Sequence, residues 1–137
     1  MPKVDMSTEL SVSADKVWEL IGGFNALPDW HPAVEKSELE EGGTIRRLSL
    51  AGGGEIIEKL EKVDDNEHVY TYSIVSAPLP VTNYVATIKV KDEGEGKCSV
   101  EWSSEFQTPE VNENEAVQAI QGIYQAGFDQ LKKIYGG

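Results

Sequence analysis

Two charged residues on the apolar phase of neighbouring strands constrain this chain more than any other feature. In Arg46-Arg47-Leu48-Ser49-Leu50 the alternation of a strand puts Arg46 on the side of Leu48 and Leu50. In Ile56-Ile57-Glu58-Lys59-Leu60 it puts Glu58 with Ile56 and Leu60. Ala51-Gly52-Gly53-Gly54 lies between them and reads as a hairpin turn. Pairing Leu50 with Gly54 and Leu48 with Ile56 sets Arg46 directly opposite Glu58. Burying either charge alone is expensive, so the pair either neutralises itself as a structural ion pair or faces a polar ligand in a cavity.

The chain has 137 residues, enough for one domain over residues 1–137 with a core that needs no staples. Its single cysteine, Cys98, excludes an internal disulfide and falls in a strand pattern, where a small buried hydrophobe is expected. A formal net charge of -12 repels phosphate backbones and anionic membrane surfaces, which argues against a nucleic-acid partner. The opening residues lack the basic and apolar blocks of a signal peptide, and no apolar run approaches a membrane span. A cytoplasmic location is the resulting expectation.

Residues 4–12 alternate well enough for a first strand, and Ser13-Ala14-Asp15 offers cap chemistry for a helix that turns Val17, Trp18, Leu20 and Ile21 inward. Gly22-Gly23 ends it. Asn25-Ala26-Leu27-Pro28-Asp29-Trp30-His31-Pro32 reads as a second, short helix closed by its final proline. Six more strands are expected at about 33–40, 44–50, 55–63, 68–76, 82–91 and 97–107. Ala77-Pro78-Leu79-Pro80 reads as a stiff apolar loop placed to cover a cavity mouth. From Glu113 to Tyr135, Val117, Ile120, Ile123, Tyr124, Gly127, Phe128, Leu131 and Ile134 form one stripe at helical spacing.

These elements make an α+β chain: a seven-stranded, curved antiparallel sheet wrapped around a long C-terminal helix, with two short helices after the first strand. Inward by phase are Tyr70, Tyr72 and Ile74; Tyr84, Ala86, Ile88 and Val90; and Cys98, Val100, Trp102, Ser104 and Phe106. Large rings with polar tips, joined by Tyr124 and Phe128 from the helix, suit a small-molecule cavity, and Gly127 leaves room beside Phe128. The competing reading is a filled core in which each phenol is hydrogen-bonded.

The order of elements resembles the START and polyketide-cyclase-like superfamily. The likeness rests on Val17-Trp18-Glu19-Leu20-Ile21, Trp30-His31-Pro32-Ala33-Val34, Gly43-Thr44-Ile45-Arg46, Tyr70-Thr71-Tyr72-Ser73-Ile74 and Leu79-Pro80-Val81-Thr82-Asn83-Tyr84, in that order across the chain. It implies a helix-grip fold with a pocket between sheet and C-terminal helix. Within the superfamily the chain looks like small bacterial polyketide cyclase or dehydrase-like proteins. It is also similar to the branch that holds plant abscisic-acid receptors and lachrymatory-factor synthase. The synthase's pattern of arginine, glutamate and tyrosine carries over by motif to Arg46, Glu58 and Tyr84. Its longer insertion between two strands has no counterpart in Ala51-Gly52-Gly53-Gly54.

The leading expectation is a binder of a small apolar or aromatic molecule that carries a carboxylate, carbonyl or hydroxyl group. Tyr70, Tyr72, Tyr84, Trp102, Tyr124 and Phe128 would wall the site, with Glu58 beside them and Arg46 orienting the polar group. The enzyme alternative is a cofactor-free isomerase, cyclase or dehydratase, with Glu58 as general acid/base, Arg46 stabilising negative charge and Tyr84 donating a proton or anchoring substrate. A partner-binding module is the third class. His31, between Trp30 and Pro32, either points at the pocket entrance or caps the short helix through carbonyls. His68 beside the turn at 64–66 is expected in solvent, and the two histidines have no third ligand at metal spacing.

Overall fold

Antiparallel pairing of the alternating segments builds a seven-stranded sheet, on whose inner face a long helix lies. The computed structural model describes residues 2–78, 81–108 and 113–135. The chain runs β1 (Lys3–Leu10), α1 (Ala14–Ile21), α2 (Leu27–Trp30), β2 (Val34–Glu40), a 3₁₀ turn at Glu41–Gly43, β3 (Ile45–Leu50), β4 (Glu55–Asp64), β5 (Val69–Ser76), β6 (Thr82–Gly94), β7 (Lys97–Gln107) and α3 (Glu113–Tyr135). Strand order is β1-β7-β6-β5-β4-β3-β2, a meander to which the first strand is added beside the last. Leu79 and Pro80 of the expected cover loop lie outside the described residues, while Pro78 sits 3.8 Å from where a side chain at Gly54 would begin.

Local chemistry sets the boundaries. β1 stops at Leu10 rather than residue 12 because Ser13 is already the cap of α1, its hydroxyl accepting from the Lys16 amide at 3.4 Å. After α1 the Trp18 ring lies so close to Gly22 that an added Cβ would stand 2.5 Å from it. All the residues assigned inward on β5, β6 and β7 are buried except Ile74, which is half-buried. On α3, Ile120, Tyr124, Gly127, Phe128 and Leu131 are buried, joined by Ala116, with Val117 and Ile123 half-buried, but Ile134 is exposed.

Bulges tune which side chains point in. β3 and β4 pair without a shift, with Leu48 opposite Ile56 and Arg46 opposite Glu58, and the Leu50 amide donates to the Gly54 carbonyl at 3.0 Å. Irregularities lie on either side of this pair: Glu35 is the extra residue between β2 and β3, and Val75 and then Glu61 are the extra residues between β4 and β5. β6 and β7 shift twice, once at Glu93 and once where two residues of β6, Asn83 and Tyr84, stand against Phe106 alone. Asn83 takes the left-handed conformation there, with φ of 51°, which leaves Tyr84 inward and stacked on Phe106.

His68 is not in solvent as expected. It stacks on the Trp18 ring at 5.4 Å and its Nε2 lies 3.2 Å from Asp15 Oδ1, because α1 folds back over the β4–β5 turn. The Trp18 indole donates to Asp65 in the same turn at 3.1 Å.

Candidate functional site

The hairpin register brings Arg46 and Glu58 together inside the fold. Arg46 Nε donates to Glu58 Oε1 at 2.7 Å, and Nη2 reaches the same oxygen at 2.6 Å. Arg46 Nη1 donates to the Phe24 carbonyl at 2.6 Å. The guanidinium also lies 4.2 Å from the Phe24 ring centroid, 5.1 Å from that of Tyr72 and 5.8 Å from that of Tyr70. An aromatic box thus holds a cation that is only 1% exposed.

Burial disfavours the charge on Arg46, but Glu58, Tyr70 and Tyr72 together outweigh it and the guanidinium is held more firmly protonated than usual. Burial pushes the Glu58 carboxyl up, and Arg46 pulls it partly back. Since arginine cannot shed its proton, an ionised Glu58 is the state that leaves no net charge in the interior. The pair is therefore a neutral unit with a carboxylate on one side.

Beside that carboxylate lies a pocket of about 260 Å³. Leu27, His31, Ala33 and Val34 close it from α2 and β2; Leu48, Leu50, Ala51, Ile56 and Glu58 from β3, their turn and β4; Ile74, Tyr72, Tyr84 and Trp102 from the remaining sheet; and Ile120 and Ile123 from α3. Glu58 is the one charged side chain in that lining. An apolar cavity of roughly 150 Å³ takes a benzene, so this space suits a molecule of one or two rings.

The expected site residues thus fall into two groups. Glu58, Tyr72, Tyr84, Trp102 and His31 reach the pocket wall. Arg46, Tyr70, Tyr124 and Phe128 do not. Arg46 and Tyr70 stand behind Glu58 and Tyr72, and Tyr124 and Phe128 stand behind Trp102, because rings stacked on rings leave no free face. The room beside Gly127 is filled as well: a Cβ there would lie 3.0 to 3.1 Å from His31, Trp30 and Trp102. The aliphatic walls, Leu48 and Ile56 above all, were not singled out as site residues, although they share the strand phase of the two charges. Phe24 was missed too; the signal in the sequence was a lone aromatic in the loop Gly22-Gly23-Phe24-Asn25, and nothing there pointed to Arg46.

The phenols form a connected set. Trp102 Nε1 donates to the Tyr72 hydroxyl at 3.0 Å, and the Tyr84 and Tyr124 hydroxyls bond to each other. Burial pushes the Tyr84 phenol up to about 12 and holds Tyr72 and Tyr124 well above the usual phenol range, so all three stay neutral at any ordinary pH. His31 is a clamp. Its Nε2 lies 2.7 Å from the Ile123 carbonyl of α3, which can only accept, so Nε2 carries the proton and Nδ1 accepts from the Ala33 amide at 3.2 Å. Burial lowers its pKa, with the Ile123 carbonyl opposing. The carbonyl it holds belongs to the distant helix α3, not to α2 as the capping reading had it. Among the described residues no group of three or more His, Cys, Asp or Glu side chains stands close enough to hold a metal ion, and no helix is long and apolar enough to cross a membrane.

A seven-stranded sheet gripping a C-terminal helix over an apolar pocket defines a START-like, helix-grip domain. Within that class the chain belongs to the family described as polyketide cyclase / dehydrase and lipid transport, which it matches over residues 1–136. Among solved structures it is similar to the protein XoxI from Bacillus cereus, at 46% identity over 98% of this chain and 96% of that one, with a TM-score of 0.96. An uncharacterised protein from Bacillus thuringiensis is 44% identical over 99% and 100% of the two chains, also at 0.96. Norcoclaurine synthase from Thalictrum flavum, a point mutant in complex with a transition-state analogue, is 26% identical over 98% and 93%, with a TM-score of 0.73. No match is found among curated proteins.

Proposed function

We propose that this chain binds a small apolar or aromatic molecule bearing one polar group, held in the pocket between the sheet and α3. The observation that carries the reading is the composition of the pocket wall: apolar side chains from every surrounding element and a single carboxylate. Aliphatic side chains supply burial energy of roughly 25 cal/mol per Å² of ligand surface, and Glu58 sets the orientation. Arg46 serves from behind, keeping Glu58 ionised and immobile, rather than touching the ligand. Native mass spectrometry of protein purified from its own host, followed by displacement of a fluorescent apolar probe, tests the reading. A bound small molecule and saturable one-to-one displacement are expected; an empty protein that takes up no probe refutes it.

Catalysis by Glu58 is a second reading, favoured by the upward push on its carboxyl and by the neutral phenol of Tyr84 in the same wall. A solved structure of similar fold holds a transition-state analogue in norcoclaurine synthase, so the scaffold is compatible with chemistry. In this chain Glu58 would move the proton, Tyr84 would have to give up its bond to Tyr124 to donate to a developing oxyanion, and Arg46 would set the basicity of Glu58. Turnover of a candidate substrate that is lost in Glu58→Gln, with a pH profile that follows one carboxyl, separates an enzyme from a carrier.

A further inference from the structure

The polar atoms of the pocket wall are already committed, with one exception. His31 uses both ring nitrogens on backbone groups. The Trp102 N–H is spent on Tyr72, the Tyr72 hydroxyl lies beside that of Tyr84, and Tyr84 is bonded to Tyr124 with Ser104 alongside. Arg46 places both of its bonds to Glu58 on Oε1. Among the described residues no hydrogen bond reaches Glu58 Oε2, and Glu58 is part of the wall. The pocket therefore offers an entering molecule an acceptor and withholds its donors.

Charge narrows the choice further. Arg46 and Glu58 cancel, and Arg46 stands behind Glu58 within the box of Phe24, Tyr70 and Tyr72. A carboxylate ligand would bring a second negative charge against Oε2 with no cation able to reach it. An ammonium ligand would leave one net positive charge in an apolar space, at a similar cost. We infer that the ligand's polar end is an uncharged hydrogen-bond donor, a hydroxyl, phenol or neutral N–H, received by Glu58 Oε2, and that carboxylates and ammonium groups are turned away. This rests on the binding reading above and, of the carboxylate, carbonyl and hydroxyl that the sequence left open, keeps only the hydroxyl.

Four probes of one size decide it: ethylbenzene, phenylethanol, phenylethylamine and phenylacetate, titrated into the full chain at neutral pH and followed by calorimetry and by NMR shifts of the Leu48, Ile56 and Ile120 methyls. Phenylethanol should bind at least about tenfold more tightly than ethylbenzene, the return on one hydrogen bond to a charged acceptor. The amine, charged at that pH, and the acid should bind no more tightly than ethylbenzene. If phenylacetate or the ammonium matches phenylethanol, or ethylbenzene does, the inference falls while the pocket stands. If none of the four binds, the inference and the binding reading fall together. Glu58→Gln adds a reversal: Arg46 is left without its counter-charge, so phenylacetate should gain at least about tenfold relative to phenylethanol. Should that variant fail to fold, the wild-type series decides alone.

Discussion

The two ends of the interior are built from different materials. Around Gly127, rings meet rings: Trp102 stacks on Tyr124 at 4.2 Å and 16°, Trp30 lies 5.5 Å from Trp102, and Phe128 6.2 Å from it. Around Glu58 the aliphatic side chains of Leu48, Ile56 and Ile74 stand with the rings of Tyr72 and Tyr84 around open space, and one face of Trp102 borders it. Interiors are close-packed as a rule, so the end where ring stacks on ring has no free volume, and the space left open beside Glu58 is the departure that a ligand can fill. The filled end supports the helix, and the open end is where binding is possible.

Substitutions at the two ends should separate these roles. The largest losses belong to Trp102→Ala and Arg46→Leu, each about 3–5 kcal/mol in urea denaturation, the first by emptying the ring stack and the second by stranding Glu58. They differ in pH response: in Arg46→Leu the carboxyl can take up a proton, so the loss should shrink in mild acid, while that of Trp102→Ala should not. The double variant Arg46→Leu, Glu58→Leu should recover wild-type stability or exceed it. If Arg46→Leu proves harmless at neutral pH, the pair is not buried as described.

Gly127→Ala should cost about 1 kcal/mol net, since overpacking three rings outweighs the gain of roughly 1 kcal/mol in helix propensity. Gly122→Ala, on the same helix with nothing within 4 Å of its added Cβ, should instead raise stability by about 1 kcal/mol. Equal effects at both positions would break the contrast between a filled and an unfilled surround. Leu48→Phe, which pushes a ring into open space, should change stability by less than about 1 kcal/mol yet abolish probe binding.

The smallest effect is a pH slope from His31. Its folded pKa lies below the ordinary 6.5, so the unfolded chain takes up the proton first as pH falls. The stability it contributes is complete above about 6.5 and is lost as pH drops through the lower folded value. Comparing the pH dependence of wild type and His31→Gln should show that slope disappear; an unchanged slope would mean that the clamp does not titrate.

The charged pair was legible because a glycine turn fixed the register of two adjacent strands, and short-range rules suffice for that. Its orientation was not. Whether Arg46 or Glu58 faces the pocket depends on Phe24, which arrives from the α1–α2 connection to box the guanidinium. Gly127 failed for a similar reason: spacing on one helix shows a gap but not Trp30 and His31, which come from a segment far earlier in the chain to fill it. The seven strands and the helix stripe were readable from alternation. The bulges at Glu61, Val75 and Asn83 were not, since an extra residue changes pairing without a distinctive residue type.

The position of β1 has a consequence for how the chain comes to be folded. Its neighbour in the sheet is β7, with Lys3 opposite Glu105, so β1 leaves the ribosome long before the strand it pairs with and waits for it. The helix that covers the inner face is made later still. A nascent chain up to β7 therefore carries an uncovered apolar surface and an unpaired strand, the state in which sheet proteins associate with one another. Chain closure is then a late event governed by long-range contacts, and folding should be slow for a protein of this size.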